Sequence, residues 1–134
     1  MTQDDADHAA MTALEAEFQS RKDELLRALA YTGGTHTLDD VWNGIKAGNL
    51  QLWMGPHSVM VTEIEAYPQF RVLHFFLAAG RMEELEVMYP SVMEWGKTEM
   101  GCTKASLAGR PGWARSFLTK SGWTTSHLVL TKEI

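Results

Sequence analysis

A turn of small residues followed by an arginine is the part of this sequence best suited to hold an anionic ligand. It consists of Ala78, Ala79, Gly80 and Arg81. The turn follows an apolar run at residues 70–77 that is typical of a strand buried on both faces. It precedes residues 82–100, where apolar side chains recur at three- and four-residue steps and predict a long amphipathic helix. Phosphate groups bind such turns because free N–H groups and the helix dipole point toward them.

Three residues near this turn could move a proton. Glu63 and Glu65 are two positions apart in a run that favours a β-strand, so they share one face of that strand. His74 lies within the apolar run itself. A general base must reach the proton that it removes, and a carboxylate or imidazole beside the turn has the right chemistry. Glu63 and His74 are therefore the candidate catalytic residues, although a solvated strand carboxylate and a hydrogen-bonded core histidine are the ordinary alternatives.

Metal and thiol chemistry find little support in the sequence. The five histidines are His8, His36, His57, His74 and His127. No two of them are three or four residues apart, so the spacing predicts no metal site. Cys102 is the single cysteine and follows a predicted helix C-terminus, where the negative end of the dipole raises a thiol pKa. We therefore expect Cys102 to be a buried strand residue and not a nucleophile.

Composition and charge exclude several classes of partner. The chain has 134 residues and a formal net charge of −5, with no long run of lysine or arginine. That balance argues against general binding to nucleic acid or to an anionic membrane surface. No apolar run approaches the roughly 20 residues that span a bilayer, and the acidic N-terminus is unlike a signal peptide. A single cysteine fits a reducing compartment, so the expected location is cytoplasmic.

Hydrophobic periodicity and turn residues predict an α/β (α+β) domain whose helices cover a mixed sheet. A polar tail at residues 1–9 precedes a helix at residues 10–31. The elements predicted after it are a helix from Thr37 to Gly48, strands at 50–53, 58–65 and 70–77, the long helix at 82–100, a strand at 102–108, a short helix at 113–120 and a last strand at 123–131. Within the long helix, Leu85, Met88 and Val92 are predicted to be buried.

This order of elements resembles the GCN5-related N-acetyltransferase (GNAT) fold, a mixed and mainly antiparallel sheet flanked by helices. The apolar strand, the glycine turn and the long helix look like the strand and helix that hold acetyl-CoA in that family. Residues 31–64 (YTGGTHTLDDVWNGIKAGNLQLWMGPHSVMVTEI) are, more narrowly, similar to small GNAT-like proteins of tailed phages and prophages. The resemblance covers residues 24–134, with a GNAT-like domain at 32–134 and the N-terminal helix as an addition to it.

The resemblance implies acetyl-CoA as the cofactor of an active member of the family, bound at the turn that contains Gly80. The family's turn is Arg or Gln, two residues, Gly, any residue, then Gly or Ala. Of the matching residues 77–82 only Gly80 fits, because Leu77 replaces the polar start and Met82 adds bulk. A basic, aromatic patch around Arg110 and Arg115 could add phosphate contacts. The family's tyrosine acid corresponds to Leu118, which cannot donate a proton.

Two functions are compatible with these residues. The degenerate turn and the missing tyrosine favour a phage-type GNAT-like protein that serves as a structural or assembly component, in the host cytoplasm or in the virion. The alternative is an active acyl-CoA-dependent N-acetyltransferase whose acceptor is unknown. For an assembly component, the expected partners are other assembly proteins or further copies of the chain. Residues 1–31 would make part of those contacts, since their apolar stripe lies outside the region of closest resemblance and must still be covered.

Overall fold

A four-stranded mixed sheet lies at the centre of the computed structural model, which describes residues 2–109 and 111–134. The strands are β1 (Leu50–Met54), β2 (Val59–Ala66), β3 (Arg71–Ala79) and β4 (Lys104–Leu107). Their order in the sheet is β1-β2-β3-β4; the first three are antiparallel, and β4 runs parallel to β3. The predicted mixed α/β architecture and the hairpin that leads into the core strand are therefore confirmed.

Helices cover both faces of this sheet. In the described residues they are α1 (Gln3–Ser20), α2 (Lys22–Leu29), α3 (Leu38–Lys46), α4 (Met82–Thr98), a 3₁₀ helix (Pro111–Arg115) and α5 (Phe117–Lys120). None of the helices within those residues is both long and apolar enough to cross a membrane.

Two capping boxes determine where α1 and α3 begin. In α3, the Thr37 hydroxyl accepts a hydrogen bond from the Asp40 N–H, and the Asp40 carboxylate accepts one from the Thr37 N–H, so this helix begins where the sequence predicted. Thr2 and Asp5 form the same reciprocal pair. Helix α1 therefore begins at Gln3, and the prediction of a polar tail over residues 1–9 is wrong for the described part of that segment. The predicted helix at 10–31 is also divided, because the backbone leaves helical geometry at Arg21.

Two apolar layers hold the helices to the sheet. The layer on one face contains Phe18 of α1, Leu25 and Leu29 of α2, Val41, Trp42 and Ile45 of α3, and Leu50, Val59, Val61 and Leu77 of the sheet. The layer on the other face contains Met60, Leu73 and Phe75 of the sheet with Leu85 and Val92 of α4 and with Cys102. Strand β3 contributes to both layers, which confirms the prediction of a strand buried on two sides. Leu85 and Val92 are buried as predicted, whereas Met88 is only partly buried.

A β-bulge in β3 changes the direction of its side chains just before the glycine turn. Leu77 pairs with Val61 and Phe75 pairs with Thr62, so Phe76 is the extra residue. Leu73 and Phe75 consequently face α4, whereas Phe76 and Leu77 both pack on the side of α1–α3. Beyond Phe75, β3 continues without β4 beside it, because the last parallel pair is Phe75 with Leu107.

The structure corrects three predictions in the C-terminal part of the chain. Residues 123–134 form neither a helix nor a strand, so the predicted last strand at 123–131 is absent from the sheet. The short helix predicted at 113–120 is instead a 3₁₀ turn followed by the four residues of α5. Strand β4 begins at Lys104, so Cys102 precedes the strand in which it was expected. The apolar pattern of these segments can be seen from neighbouring residues. Whether a segment pairs as a strand depends instead on residues that are far away in the chain.

Candidate functional site

The glycine turn between β3 and α4 is occupied by the loop between β1 and β2. Arg81 is the N-cap residue of α4 and has no capping side chain of its own. Its N–H instead donates a hydrogen bond of 3.0 Å to the Ser58 hydroxyl, across 23 residues of chain. Gly80 has φ +125°, and a Cβ added there would lie 2.5 Å from the Ser58 Cα and 2.6 Å from the His57 carbonyl oxygen. The bare backbone at Gly80 therefore allows this loop to approach closely.

A carboxylate of α4 completes the contact with this loop. Glu84 Oε1 accepts a hydrogen bond of 2.8 Å from the backbone N–H of His57. Burial acts to raise the pKa of Glu84, but hydrogen bonds from the His57 N–H and from Ser58 outweigh it and hold that pKa below its usual value. An ionised carboxylate thus lies in the first turn of α4, where the helix dipole favours it.

The same loop is held from its other side by Arg21. The guanidinium Nη2 donates hydrogen bonds of 2.5 Å to the Gly55 carbonyl and 2.9 Å to the Pro56 carbonyl. Its Nη1 lies 3.4 Å from Glu24 Oε2, which keeps the arginine in place. The loop is therefore fixed between the α1–α2 junction and the start of α4. Sequence analysis missed this arrangement, because Arg21 and Ser58 are far from the turn in the chain and neither stands in a recognisable motif.

An apolar cavity opens where β3 and β4 diverge beyond the bulge. It holds about 80 Å³. Its walls include Phe75, Ala78, Leu107, Trp113, Leu118 and Trp123, and Tyr31 and Tyr89 also line it. The Trp123 ring packs edge-on against Phe75 at 6.1 Å and against Tyr89 at 6.4 Å between centroids. A small apolar group could be enclosed here, with the two tyrosines as phenol-bearing residues of its wall. These tyrosines are site residues that sequence analysis did not propose.

The candidate cofactor residues do not converge on this cavity. Ala78 lines it, but Ala79 packs in the layer on the opposite face of the sheet. Gly80 contacts the loop between β1 and β2, and the Arg81 side chain is exposed to solvent. Arg115 is exposed at the end of the 3₁₀ turn, and Arg110 lies outside the described residues. Of the four residues in the expected phosphate turn, Ala78 alone lines the cavity.

The candidate proton-transfer residues lie together, but away from the cavity. Glu63 is directly opposite His74 in the pairing of β2 with β3. His74 Nδ1 makes a hydrogen bond of 2.8 Å with the Ser106 hydroxyl of β4 and lies 3.6 Å from Glu65 Oε1. This polar row crosses three strands, and none of its members lines the cavity. The position of the family's tyrosine is taken by Leu118, which is buried and forms part of the cavity wall.

Cys102 is buried, as the sequence predicts. Burial raises the pKa of its thiol, and Arg71 opposes that effect in part. The pKa of Cys102 is raised, as the sequence predicted, but the cause is burial and not the helix dipole. Among the side chains that the structure describes, no group of three or more His, Cys, Asp or Glu residues is arranged to hold a metal ion.

Comparison with known proteins identifies related folds only. No family model matches the sequence, and no curated protein sequence matches it. Two similar solved structures are those of TTHA1254 from Thermus thermophilus, as the wild type and as a single-residue mutant. The mutant superposes with a TM-score of 0.56 and the wild type with 0.55; each is 17% identical over 84% of this chain and 91% of that chain. At this identity the likeness supports the α/β architecture and carries no activity across.

Proposed function

We propose that this chain is a non-catalytic assembly component with an acyltransferase-like scaffold, similar to the small GNAT-like proteins of tailed phages. The observation that carries the proposal is the occupied turn at the start of α4. The Arg81 N–H already has an acceptor in Ser58, and the space beside Gly80 is filled by His57 and Ser58. A phosphate would have to displace a loop that Arg21 also fixes from behind.

Charge at the turn supports the same proposal. The Glu84 carboxylate is directed at the loop and is held ionised there. Glu83 adds a second carboxylate in the first turn of α4, next to the cation Arg81. The favourable end of the helix dipole is therefore used by the protein's own acids, which repel a pyrophosphate. Proton chemistry is also poorly placed, because His74 and Glu63 lie outside the cavity.

The first half of α1 provides a surface for a partner. Its buried residue is Phe18, near the C-terminal end, whereas almost all residues from 2 to 13 are exposed. An isolated helix of about 12 residues is only marginally stable in water, so a projecting segment of this length gains from a covering surface. The alanines of this segment share one side of the helix and offer a shallow apolar stripe to a second copy of the chain; they are Ala6, Ala9, Ala10 and Ala13.

Deleting residues 2–13 should therefore change assembly more than stability. We expect the free energy of unfolding to fall by less than about 1 kcal/mol, because the exposed residues contribute little burial. Light scattering should show the full chain as larger than its 15.0 kDa monomer and the truncated chain as a monomer. The control is Val87→Lys, at an exposed position on α4, which should leave the oligomeric state of the full chain unchanged. An identical mass for full and truncated chains would show that α1 is only a local cover.

The cavity between β3 and β4 supports a second candidate function, an acyl-CoA-dependent N-acetyltransferase. It is apolar, it adjoins the glycine turn, and its wall includes the phenol-bearing residues Tyr31 and Tyr89. An acyl group could enter it if the phosphates of the cofactor were bound by another surface. This function requires acetyl-CoA to bind with useful affinity, and the assembly proposal does not.

Titration calorimetry with acetyl-CoA separates the two candidates. We expect a dissociation constant in the millimolar range or weaker, since the β1–β2 loop fills the space beside Gly80 and the carboxylates of Glu83 and Glu84 offset the charge of Arg81. Arg81→Glu should then change nothing, and neither should its matched control Arg27→Glu, an exposed arginine on α2. A micromolar constant that Arg81→Glu abolishes and Arg27→Glu preserves would restore the transferase and refute the assembly proposal.

A further inference from the structure

Strand β1 lies at one edge of the sheet, and nothing in its sequence protects that edge. Its neighbour on one side is β2, and among residues 2–109 and 111–134 no strand pairs with its other side. The five residues LQLWM include no charge and no proline, and their pairing with β2 is continuous, without a bulge. Native proteins usually protect an exposed edge with such devices, because its unpaired backbone groups are a template for another strand. At the opposite edge, β4 is shorter and begins with Lys104.

The backbone groups of β1 that point to the free edge follow from one hydrogen bond. The Gly55 N–H donates to the Ser58 carbonyl, and these two residues are opposite each other when the β1–β2 register is continued into the loop. By the alternation of antiparallel pairs, Trp53 and Gln51 also bond to β2. The residues whose N–H and C=O groups point away from the sheet are therefore Leu50, Leu52 and Met54.

The side chains of β1 are only partly covered on both faces of the sheet. Leu52 and Met54 are half-buried and pack against the layer that α1–α3 form. Trp53 is half-buried on the opposite face, where its ring packs against Trp95 at 5.2 Å between centroids. Both apolar layers therefore reach this edge without being closed there. A strand added at the edge would bring further side chains to each layer.

Strand β1 is complementary to a second copy of itself. When two such strands pair antiparallel about a two-fold axis, the register that uses all five residues places Leu52 opposite Leu52 of the second copy. On the same face, Leu50 lies opposite Met54. On the other face, Gln51 lies opposite Trp53. No like charges meet in this register, and the outward-pointing groups of the two strands exchange hydrogen bonds in pairs.

Helix α1 lies on the same side of the molecule as this edge. It packs on α3, and α3 packs on β1. At the C-terminal end of α1, Arg21 bonds to the carbonyls of Gly55 and Pro56, which directly follow β1. A second copy that pairs with β1 is therefore positioned to contact α1 as well. Two weak contacts on one surface reinforce each other, since the first holds the second at a high effective concentration.

We propose that two copies of the chain pair through their β1 edges, which joins their four-stranded sheets into one continuous sheet. The inference rests on the assembly function proposed above and names the surface that acts together with α1. Five residues of strand bury too little surface to hold two copies together by themselves, so the chain without residues 2–13 is a monomer although its β1 is intact. The occupant is a second copy and not a different protein, because the edge matches itself on both faces.

Substitution of Leu52 tests the pairing, because in this register the residue meets its own counterpart. Leu52→Lys and Leu52→Glu each place two like charges opposite each other, so each variant should associate at least tenfold more weakly than the wild type in light scattering. An equimolar mixture of the two variants should regain the wild-type mass, since opposite charges then meet. That recovery also shows that both variants are folded. Val87→Lys and Val87→Glu, at an exposed position on α4, are the matched controls and should both associate as the wild type does.

The outcomes separate this inference from the proposed function. Suppose that the full chain assembles and that deletion of residues 2–13 releases monomers. If both Leu52 variants then keep the wild-type mass, or if they dissociate and do not recover on mixing, the β1 pairing is refuted and the assembly proposal stands. A full chain that is a monomer at every concentration refutes both.

Amide hydrogen exchange gives a second readout, which a loss of folding would not imitate. The amides of Leu52 and Met54 should exchange at least tenfold more slowly in the assembled wild-type chain than in the diluted monomer. The amides of Gln51 and Trp53 bond to β2 and should be slow in both states. Rapid exchange of Leu52 and Met54 in the assembled chain would overturn the proposal.

Discussion

Replacing Gly80 with alanine should destabilise the protein by about 2–6 kcal/mol, through two additive causes. The first is backbone strain, because φ is +125° at this position and a residue with a Cβ avoids that conformation. The second is steric, since the new Cβ would meet the backbone of His57 and Ser58 at 2.6 Å and 2.5 Å. Chemical denaturation, followed by circular dichroism, measures the loss.

Gly101→Ala is the matched control for this substitution. Gly101 also has positive φ, at +69°, but a Cβ there would meet nothing within 4 Å. The control therefore carries the backbone cost alone, about 1–2 kcal/mol. Adding Ser58→Ala to the Gly80 variant removes the hydroxyl but not the backbone contacts, so it should not restore stability. Equal losses for the two glycine variants would show that the β1–β2 loop does not press on the turn.

Leu85→Ala should lower the free energy of unfolding by roughly 2–5 kcal/mol, because it removes a buried side chain from the α4 layer and leaves a cavity. Leu85 is only 3% exposed and packs in the layer that contains Leu73 and Phe75. Val87, two residues along the same helix, is 77% exposed. Val87→Ala should therefore change the free energy by less than about 0.5 kcal/mol. A loss below that value for Leu85→Ala would place the apolar stripe of α4 on the surface.

The Gly80 and Leu85 substitutions test two different contacts of α4. Leu85 reports on the packing that places α4 across the sheet. Gly80 reports on the contact between the β1–β2 loop and the start of α4. If both losses are observed, α4 packs on the sheet through Leu85 and its first turn is in close contact with the β1–β2 loop. That combination is what the assembly proposal requires.

Elements whose pattern is local were predicted well from the sequence. The sequence predicted that α3 begins at Thr37, and the structure places the N-cap there, in a capping box with Asp40. The alternation of β2 and the apolar run of β3 predicted a hairpin, with ends accurate to one or two residues. The equivalent signal at Thr2 and Asp5 is present too, but the acidic composition of that segment favours a tail and concealed the helix start.

Elements that depend on pairing were predicted less well. The segment after Trp123 has a strand's composition, but a strand exists only when its backbone groups find a partner, and no described strand of the sheet is paired with it. The break between α1 and α2 at Arg21 is similar, because this side chain is directed to the carbonyls of Gly55 and Pro56, which are 34 and 35 residues away. Short-range periodicity contains no information about such contacts.

The sequence by itself determined the α/β class, the central strand, the long helix and the departure of the turn from a phosphate-binding pattern. Each of these follows from residue types that are near neighbours in the chain, where the spacing of side chains dictates which face they share. Only the tertiary structure decided which residues meet. It placed Ser58 and Glu84 at the turn, separated His74 and Glu63 from the cavity, and brought Tyr31 and Tyr89 to the cavity wall. These contacts join residues that are far apart in the chain, and they depend on the bulge at Phe76 and on the packing of the β1–β2 loop against α4.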